Sequence, residues 1–382
     1  MRPTARMCAL ALLATLLIPP SASAYTIASG FSTGCHERIT LDAFDAFFLE
    51  QPTNGIPVGG GETWRELVLF FRDTFPELVG TEIDPQKLDE AQRFMLVSLL
   101  VGVRSPDTDG HSVLNLENLR LLHSDPSPEG QYAHALRGPA DDATAGNAAV
   151  VEGTRRIIEA LVLEAVDLEN PLRESELIQL QGFYLDFYGI IQTEVYMPMY
   201  LLGRAAHALQ DSFSHAIRDD SPESRAAGTE FRQIVHVLNY VEAIGADFEE
   251  TRDGLAHSDS MDDCTGEPGE EGGTVDAASQ ATFDLFFAYR AMRKGLDAGA
   301  LKAASDKWLT LREGCDATDG FCDNTHWLEV VREAQTQPYF DAIFGCSTAR
   351  TAKPSGGAPL LWLALLMGWV FRQSRRPEPP RP

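Results

Sequence analysis

Apolar residues recur along most of the chain at the three- and four-residue spacing of a buried helix face. Leu41, Phe44, Phe47 and Phe48 form one such face, and Phe94, Leu96, Leu99 and Leu100 another. Ile157, Ile158, Leu161, Leu163 and Val166 make a third. The longest helical pattern runs from Glu174 to Ser214, with Pro198 as a kink or a junction between helices. Val235 to Ile244, Phe283 to Leu296 and Trp327 to Phe344 complete the set. Proline and glycine mark loops at Gly55–Gly61 and Ser124–Gly130, and the acidic, Gly-rich run Asp259–Val275 reads as a solvated insertion. There is no internal repeat and no series of alternating strands. The pattern predicts an all-α fold in a single multi-helix domain.

Both ends break this pattern. Arg2 and Arg6, an apolar run from Met7 to Ile18 and the small-x-small sequence Ala22-Ser23-Ala24 predict a secretory signal over residues 1–24. Cleavage there makes Tyr25 the mature N-terminus. The folded domain is then 25–345. Over 346–382, Cys346 is followed by a polar spacer, an apolar run from Leu360 to Phe371, and Arg372, Arg375 and Arg376. That order resembles the C-terminal sorting tails of myxobacterial surface proteins, in which the tail is processed; a plain C-terminal membrane anchor is the alternative. Either way the folded part is expected outside the cytoplasm: at the cell surface or outer membrane through the tail, or secreted after processing.

Cysteine usage fits export. Of six cysteines, Cys8 lies in the leader and Cys346 in the tail. Cys35, Cys264, Cys315 and Cys322 remain, enough for two disulfides. Cys315 with Cys322 is the local pairing, which leaves Cys35 with Cys264. Zinc ligation by these four is the alternative, but they contain no C-x-x-C pair.

The composition, 44% hydrophobic and 23% charged over 382 residues, excludes a wholly disordered chain and a polytopic membrane protein. Asp+Glu number 56 against 31 Lys+Arg, a formal net charge of −25. Such a balance repels polyphosphate and argues against a broad nucleic-acid groove. A small anionic group held at a local cation remains compatible with it.

The nine histidines carry the chemistry. In His207-Ala-Leu-Gln-Asp211-Ser-Phe-Ser-His215 the three named groups fall at i, i+4 and i+8, drifting only about 40° per step around a helix. Two imidazoles and a carboxylate on one partly buried face call for a neutralising cation, and Asp211 stands where one carboxylate could bridge two ions. A pair of core histidines hydrogen-bonded to Asp211 is the bland alternative. His36 precedes the first helix, Asp107 ends the helix containing Gly102, His123 follows in Leu121-Leu122-His123-Ser124-Asp125-Pro126, and His236 lies in the next helical pattern.

Taken in order, these residues resemble the zinc-dependent phospholipase C and S1/P1 nuclease superfamily. The resemblance implies an all-α fold of the phospholipase C/P1 nuclease type and two or three clustered zinc ions. It implies Tyr25, in place of the usual tryptophan, as a ligand through its amino and carbonyl groups. His36, Asp107, His123, His207, Asp211, His215 and His236 are the other implied metal ligands, with Asp211 bridging and Asp107 also orienting or deprotonating water. Three positions depart from the family pattern. Tyr25 is one, and the single turn between Asp211 and His215 is another. Tyr240 stands where a glutamate usually follows the last histidine, with Asn239 or Glu242 as substitutes. The implied activity is phosphoester hydrolysis, with phospholipid or another phosphodiester as substrate. The acidic balance favours lipid over nucleic acid. A non-catalytic surface protein that keeps the scaffold is the alternative reading, and an S1/P1-type nuclease is another.

Other signals fit less well. Gly30-Phe-Ser-Thr-Gly34 matches G-x-S-x-G but lacks the strand and parallel sheet that motif requires. His36-Glu37 has no second histidine at the H-E-x-x-H position, and Asp107-x-Asp109 lacks calcium-loop spacing. His111, His134, His257 and His326 read as surface residues or as supports of ligands, His134 being near enough to His123 to serve as a reserve ligand. Phe283, Phe286 and Phe287 read as core.

Overall fold

The computed structural model describes residues 34–48, 56, 58–59, 61–75, 78–108, 128–137, 145–185, 189–238, 273–315 and 320–325. The expected leader, Tyr25, residues 30–33 of the G-x-S-x-G segment, His111, His123, residues 259–272 of the acidic insertion, the helix expected over 327–344 and the tail 346–382 lie outside these residues. Helices dominate. They are α1 (Cys35–Phe48), α2 (Gly61–Thr74), α3 (Glu90–Thr108), α4 (Pro128–Ala133) and α5 (Ala145–Leu168), then α6 (Met197–Ser214), α7 (Pro222–Ala227), α8 (Thr274–Arg293), α9 (Ala300–Trp308) and α10 (Gly320–Asp323). Among the described residues no helix is long and apolar enough to cross a membrane.

α3 and α6 form the centre. α3 opens on a reciprocal cap: Gln92 N–H donates to Asp89 Oδ1 at 2.7 Å, and Asp89 N–H donates to Gln92 Oε1 at 3.0 Å. From Phe94 to Arg104 the helix is buried on every side, as expected of a helix surrounded by others. Pro106 lies in its last turn and has no N–H for the carbonyl of Gly102. The hydroxyl of Ser105 donates to that carbonyl instead, at 2.9 Å. The turn therefore continues to Asp107. α6 is buried along nearly its whole length. The two helices touch backbone to backbone: a methyl group on Gly102 would stand 2.1 Å from Tyr200 O, and one on Gly203 would stand 2.2 Å from Leu99 O. α1, α5 and α8 surround this pair in one continuous core that includes Phe44, Phe94, Val162, Leu202 and Phe286.

Two small sheets correct the all-α expectation. β1 (Ile178–Leu185) and β2 (Gly189–Tyr196) form an antiparallel hairpin in register from Ile178↔Tyr196 to Leu185↔Gly189, inside the stretch that predicts the longest helix. Buried Thr193 and Val195 alternate with more exposed Gln192 and Glu194, and the β-branched Ile190, Ile191, Thr193 and Val195 suit a pleated surface. The helical part of that stretch begins only at Met197, and Pro198 sits in the first turn of α6, where its missing N–H has no partner to lose. The second sheet orders β3 (Ala216–Arg218), β4 (Gln233–Val237) and β5 (Thr310–Leu311), with β3 antiparallel and β5 parallel to β4. The pattern over Val235–Ile244 predicts a helix. Its described part is strand instead, with His236 opposite Ile217.

A disulfide joins Cys315 and Cys322, with Cα atoms 5.3 Å apart. Cys35 is also disulfide-bonded. Cys264, its expected partner, lies outside the described residues.

Candidate metal centre

Four helical segments deliver titratable side chains to one buried point. His36 comes from the first turn of α1, Asp107 from the last turn of α3, His134 from the turn after α4, and His207 and Asp211 from successive turns of α6. His36 and His207 are fully buried, and Asp107, the most accessible of the five, is 7% exposed. Nε2 of His207 lies 3.0 Å from Asp211 Oδ2, 3.4 Å from Asp107 Oδ1 and 3.4 Å from His134 Nδ1. Nδ1 of His134 is 3.1 Å from the same Asp211 oxygen and 3.8 Å from Asp107 Oδ1. The other oxygen of Asp211, Oδ1, faces His36 Nε2 at 3.1 Å. The imidazoles of His36 and His207 stack with centroids 4.1 Å apart.

Hydrogen-bond roles test whether this set suits a cation. Nδ1 of His207 lies 2.9 Å from the carbonyl oxygen of Val103. A carbonyl only accepts, so Nδ1 carries the proton, and in the neutral ring Nε2 offers a lone pair. That lone pair points at two carboxylates, which are acceptors too. Acceptors converging in a buried site need a positive charge among them, from protons or from a metal. A histidine that donates its far N–H to a backbone carbonyl also has the orientation of a metal ligand. The described residues contain two groups whose ligand atoms lie within 4.8 Å of one another: His36, Asp107 and His207; and His134, His207 and Asp211. The donor set fits a divalent ion that takes nitrogen and oxygen ligands.

Electrostatics agree. Burial raises a carboxyl pKa, yet the imidazoles of His207, His215 and His134 hold Asp211 well below the usual carboxylate range. Burial lowers a histidine, yet hydrogen bonding and charge from Asp211, with charge from Asp107, bring His36 up to about 9. Without an ion His36 thus keeps its second proton to higher pH, opposite an ionised Asp211.

The chain matches no family model, no curated protein and no solved structure. The reading of the site therefore stands on the chain's own residues.

Of the residues expected at the site, His36, Asp107, His207 and Asp211 come together. Tyr25 and His123 lie outside the described residues. His215 caps α6, its N–H donating to Asp211 O at 2.8 Å. Its Nδ1 donates to the carbonyl of His134, so it braces the turn carrying that residue and belongs to neither ligand group. His236 is also outside both groups. Asn147 Oδ1 accepts from Val237 N–H at 2.9 Å, which turns the amide nitrogen toward His236 Nδ1 at 3.3 Å. Burial, with the nearby charge of Arg137, pushes His236 down to about 4.

His134 is the member that sequence reasoning set aside as a support or reserve. The available signal was its place in the order, between Asp107 and His207 and just after the loop Ser124–Gly130. A second feature was missed altogether. Arg104 Nη1 donates to Glu37 Oε1 at 2.7 Å, with both side chains buried and the guanidinium 5.1 Å from the centroid of Phe183. This pair ties α1 to α3 beside His36 and Asp107.

Proposed function

We propose that this chain is a zinc-dependent phosphoester hydrolase of the kind its ordered histidines and aspartates resemble, the zinc-dependent phospholipase C and S1/P1 nuclease superfamily, with His134 taking a ligand place. The observation that carries the reading is the proton committed by His207 to Val103, which leaves Nε2 facing Asp211 and Asp107 with no proton to share.

Within this reading His134, His207, Asp107 and Asp211 would hold one zinc and His36 would contribute to a second, with Asp211 available to both because its two oxygens face different imidazoles. When bound, the ions neutralise phosphate oxygens and lower the pKa of water at the site. Asp107 is the most accessible of the acidic and basic groups here, which suits it to orient that water or accept its proton. Burial keeps the remaining four groups away from bulk solvent and fixes their rotamers. Phospholipid is the proposed substrate class, because a chain of net charge −25 repels a long polyanion more than a single headgroup. The expected leader and tail would place the activity outside the cytoplasm.

The test is metal analysis of the full oxidised chain, followed by assays on phosphatidylcholine vesicles and on single-stranded DNA. Zinc in excess of one per chain with release of a phosphorylated headgroup is expected. Turnover of DNA alone would move the substrate to nucleic acid. A chain that binds no zinc and cleaves neither substrate would leave only a scaffold.

A further inference from the structure

Behind the site a second layer of polar groups points away from the ligand atoms. Gln210 sits on α6 next to Asp211 and is fully buried, as are Thr40 on α1 and Thr282 on α8. Gln210 Oε1 and His36 Nδ1 are 2.7 Å apart. The amide nitrogen of Gln210 lies 2.9 Å from Thr40 Oγ1 and 3.2 Å from Thr282 Oγ1. Thr282 has one hydroxyl proton, and it donates that proton to Ala278 O at 2.8 Å. Toward Gln210 it can therefore only accept. This fixes which end of the amide is which: nitrogen toward the threonines, oxygen toward His36. An amide oxygen only accepts, so Nδ1 of His36 must carry the proton, and in the neutral ring Nε2 is left as the lone pair facing Asp211.

We infer that Gln210 is a positioning residue that sets the tautomer and the ring orientation of His36, with Thr282 fixing the amide of Gln210 in turn. The device spans three helices: α8 orients a side chain on α6, which orients a ring on α1. No part of it touches the ion or the substrate. The tautomer claim stands whether or not the site holds zinc. The effect on metal affinity rests on the reading proposed above.

The test uses the full chain with ¹⁵N-labelled histidine. Long-range ¹H–¹⁵N spectra are recorded in chelator, at a pH alkaline enough for His36 to be neutral. Wild type is expected to show the Nδ1–H form at His36. Gln210→Met removes the acceptor while keeping length, and should return the ring to the Nε2–H form that an isolated side chain prefers. Zinc affinity at the sites containing His36 should then fall about 10- to 100-fold, the usual loss when the partner behind a metal-bound histidine is removed. Gln210→Glu keeps an oxygen toward Nδ1, its other oxygen accepting from Thr40 or, once the Thr282 hydroxyl turns away from Ala278 O, from Thr282. It should restore the Nδ1–H form and most of the affinity, which a merely space-filling role would not do. If Gln210→Met fails to fold, Thr282→Val takes its place, with the same direction and a smaller shift. An Nε2–H ring in wild type, or an Nδ1–H ring that survives in Gln210→Met, overturns the inference. Wild type with the Nδ1–H form but no bound zinc instead sinks the metal reading and leaves the positioning role standing.

Discussion

Two buried polar clusters follow one another along the chain, one built around Asp211 and the other around Arg218, Asp219 and Asp220. In the second, every named donor meets an acceptor. Arg218 donates from Nε to Ser212 O at 3.0 Å and from Nη1 to Trp308 O at 2.8 Å and Phe231 O at 3.1 Å, with its guanidinium 3.6 Å from the centroid of Phe213. Asp219 accepts from Ser221 N–H and from Arg312. Asp220 accepts from Arg225, from Thr325 N–H and from the Thr325 hydroxyl. Asn324 donates to Arg218 O at 2.7 Å. These bonds clasp the segment after the Cys315–Cys322 loop onto β3 and α7. In the first cluster the ring proton of His207 is spent on the carbonyl of Val103, and the Nε2 lone pair this leaves converges with the carboxylate oxygens of Asp211 and Asp107. Burial is common to both clusters. What separates them is the acceptor-to-acceptor approach at His207 Nε2, which the proposed cation would resolve.

The sharpest way to break this comparison is to remove one central group from each. Asp211→Asn keeps the shape but loses the charge and one oxygen shared between two sets of imidazoles. It should lose bound zinc, and phosphoester turnover should fall on the order of 10³-fold or more, the equivalent of several kcal/mol of transition-state stabilisation. Arg218→Ala should do the reverse. It opens a cavity beside Phe213 and strands several carbonyls, costing about 3–5 kcal/mol, while the folded fraction keeps its zinc. Zinc content by mass spectrometry and unfolding in urea read the two effects separately. Zinc retained in Asp211→Asn would erase the distinction between the clusters.

The parts of the site that could be read from the sequence are those whose evidence is local. His207 and Asp211 announce themselves by i, i+4 spacing, and the apolar stripes around Phe94 and Ile158 place real helices. Local evidence also misleads where two periods overlap. Leu177, Leu180 and Phe183 have helical spacing, and only the alternation at Thr193 and Val195 betrays the hairpin. His215 was expected on the same face as Asp211, but Ser214 ends α6, and the cap directs the His215 ring to the backbone of His134. His134 joins the cluster through the short helix α4 and a return to α6 across 73 residues, and no periodicity encodes such a closure. The same holds for Gln210, whose partners Thr40 and Thr282 lie on two other helices.

A second prediction concerns the Asp211 cluster with no ion bound. The folded value of His36, about 9, lies above its ordinary 6.5. The stabilisation is therefore complete below pH 6.5 and is lost as pH rises through about 9, a change of roughly 3 kcal/mol. Chelated protein should become easier to unfold over that window. Zinc-loaded protein should not, because the ion replaces the proton opposite Asp211, and its zinc affinity should rise over the same window as proton competition fades. A flat stability profile for the chelated protein between pH 6.5 and 9 would show that His36 holds no extra proton opposite Asp211.

The smallest expected effects come from one glycine near each cluster, and they differ in kind. Gly102 lies on α3, one turn before Asp107, against the backbone of α6. Gly102→Ala would force a methyl into Tyr200 O at 2.1 Å, so the helices must separate, at about 1–3 kcal/mol. Because Asp107 rides on α3 and His207 on α6, that separation should also widen the 3.4 Å approach between them and weaken zinc binding. Gly228 closes α7 with φ +64° and has open space around it. Gly228→Ala should cost about 1 kcal/mol through backbone conformation alone, with zinc affinity unchanged. A zinc loss in Gly102→Ala and none in Gly228→Ala would place the site's geometry on the contact between two helices. Equal zinc affinity in both would mean that the cluster adjusts through its side chains and does not depend on the close approach of α3 and α6.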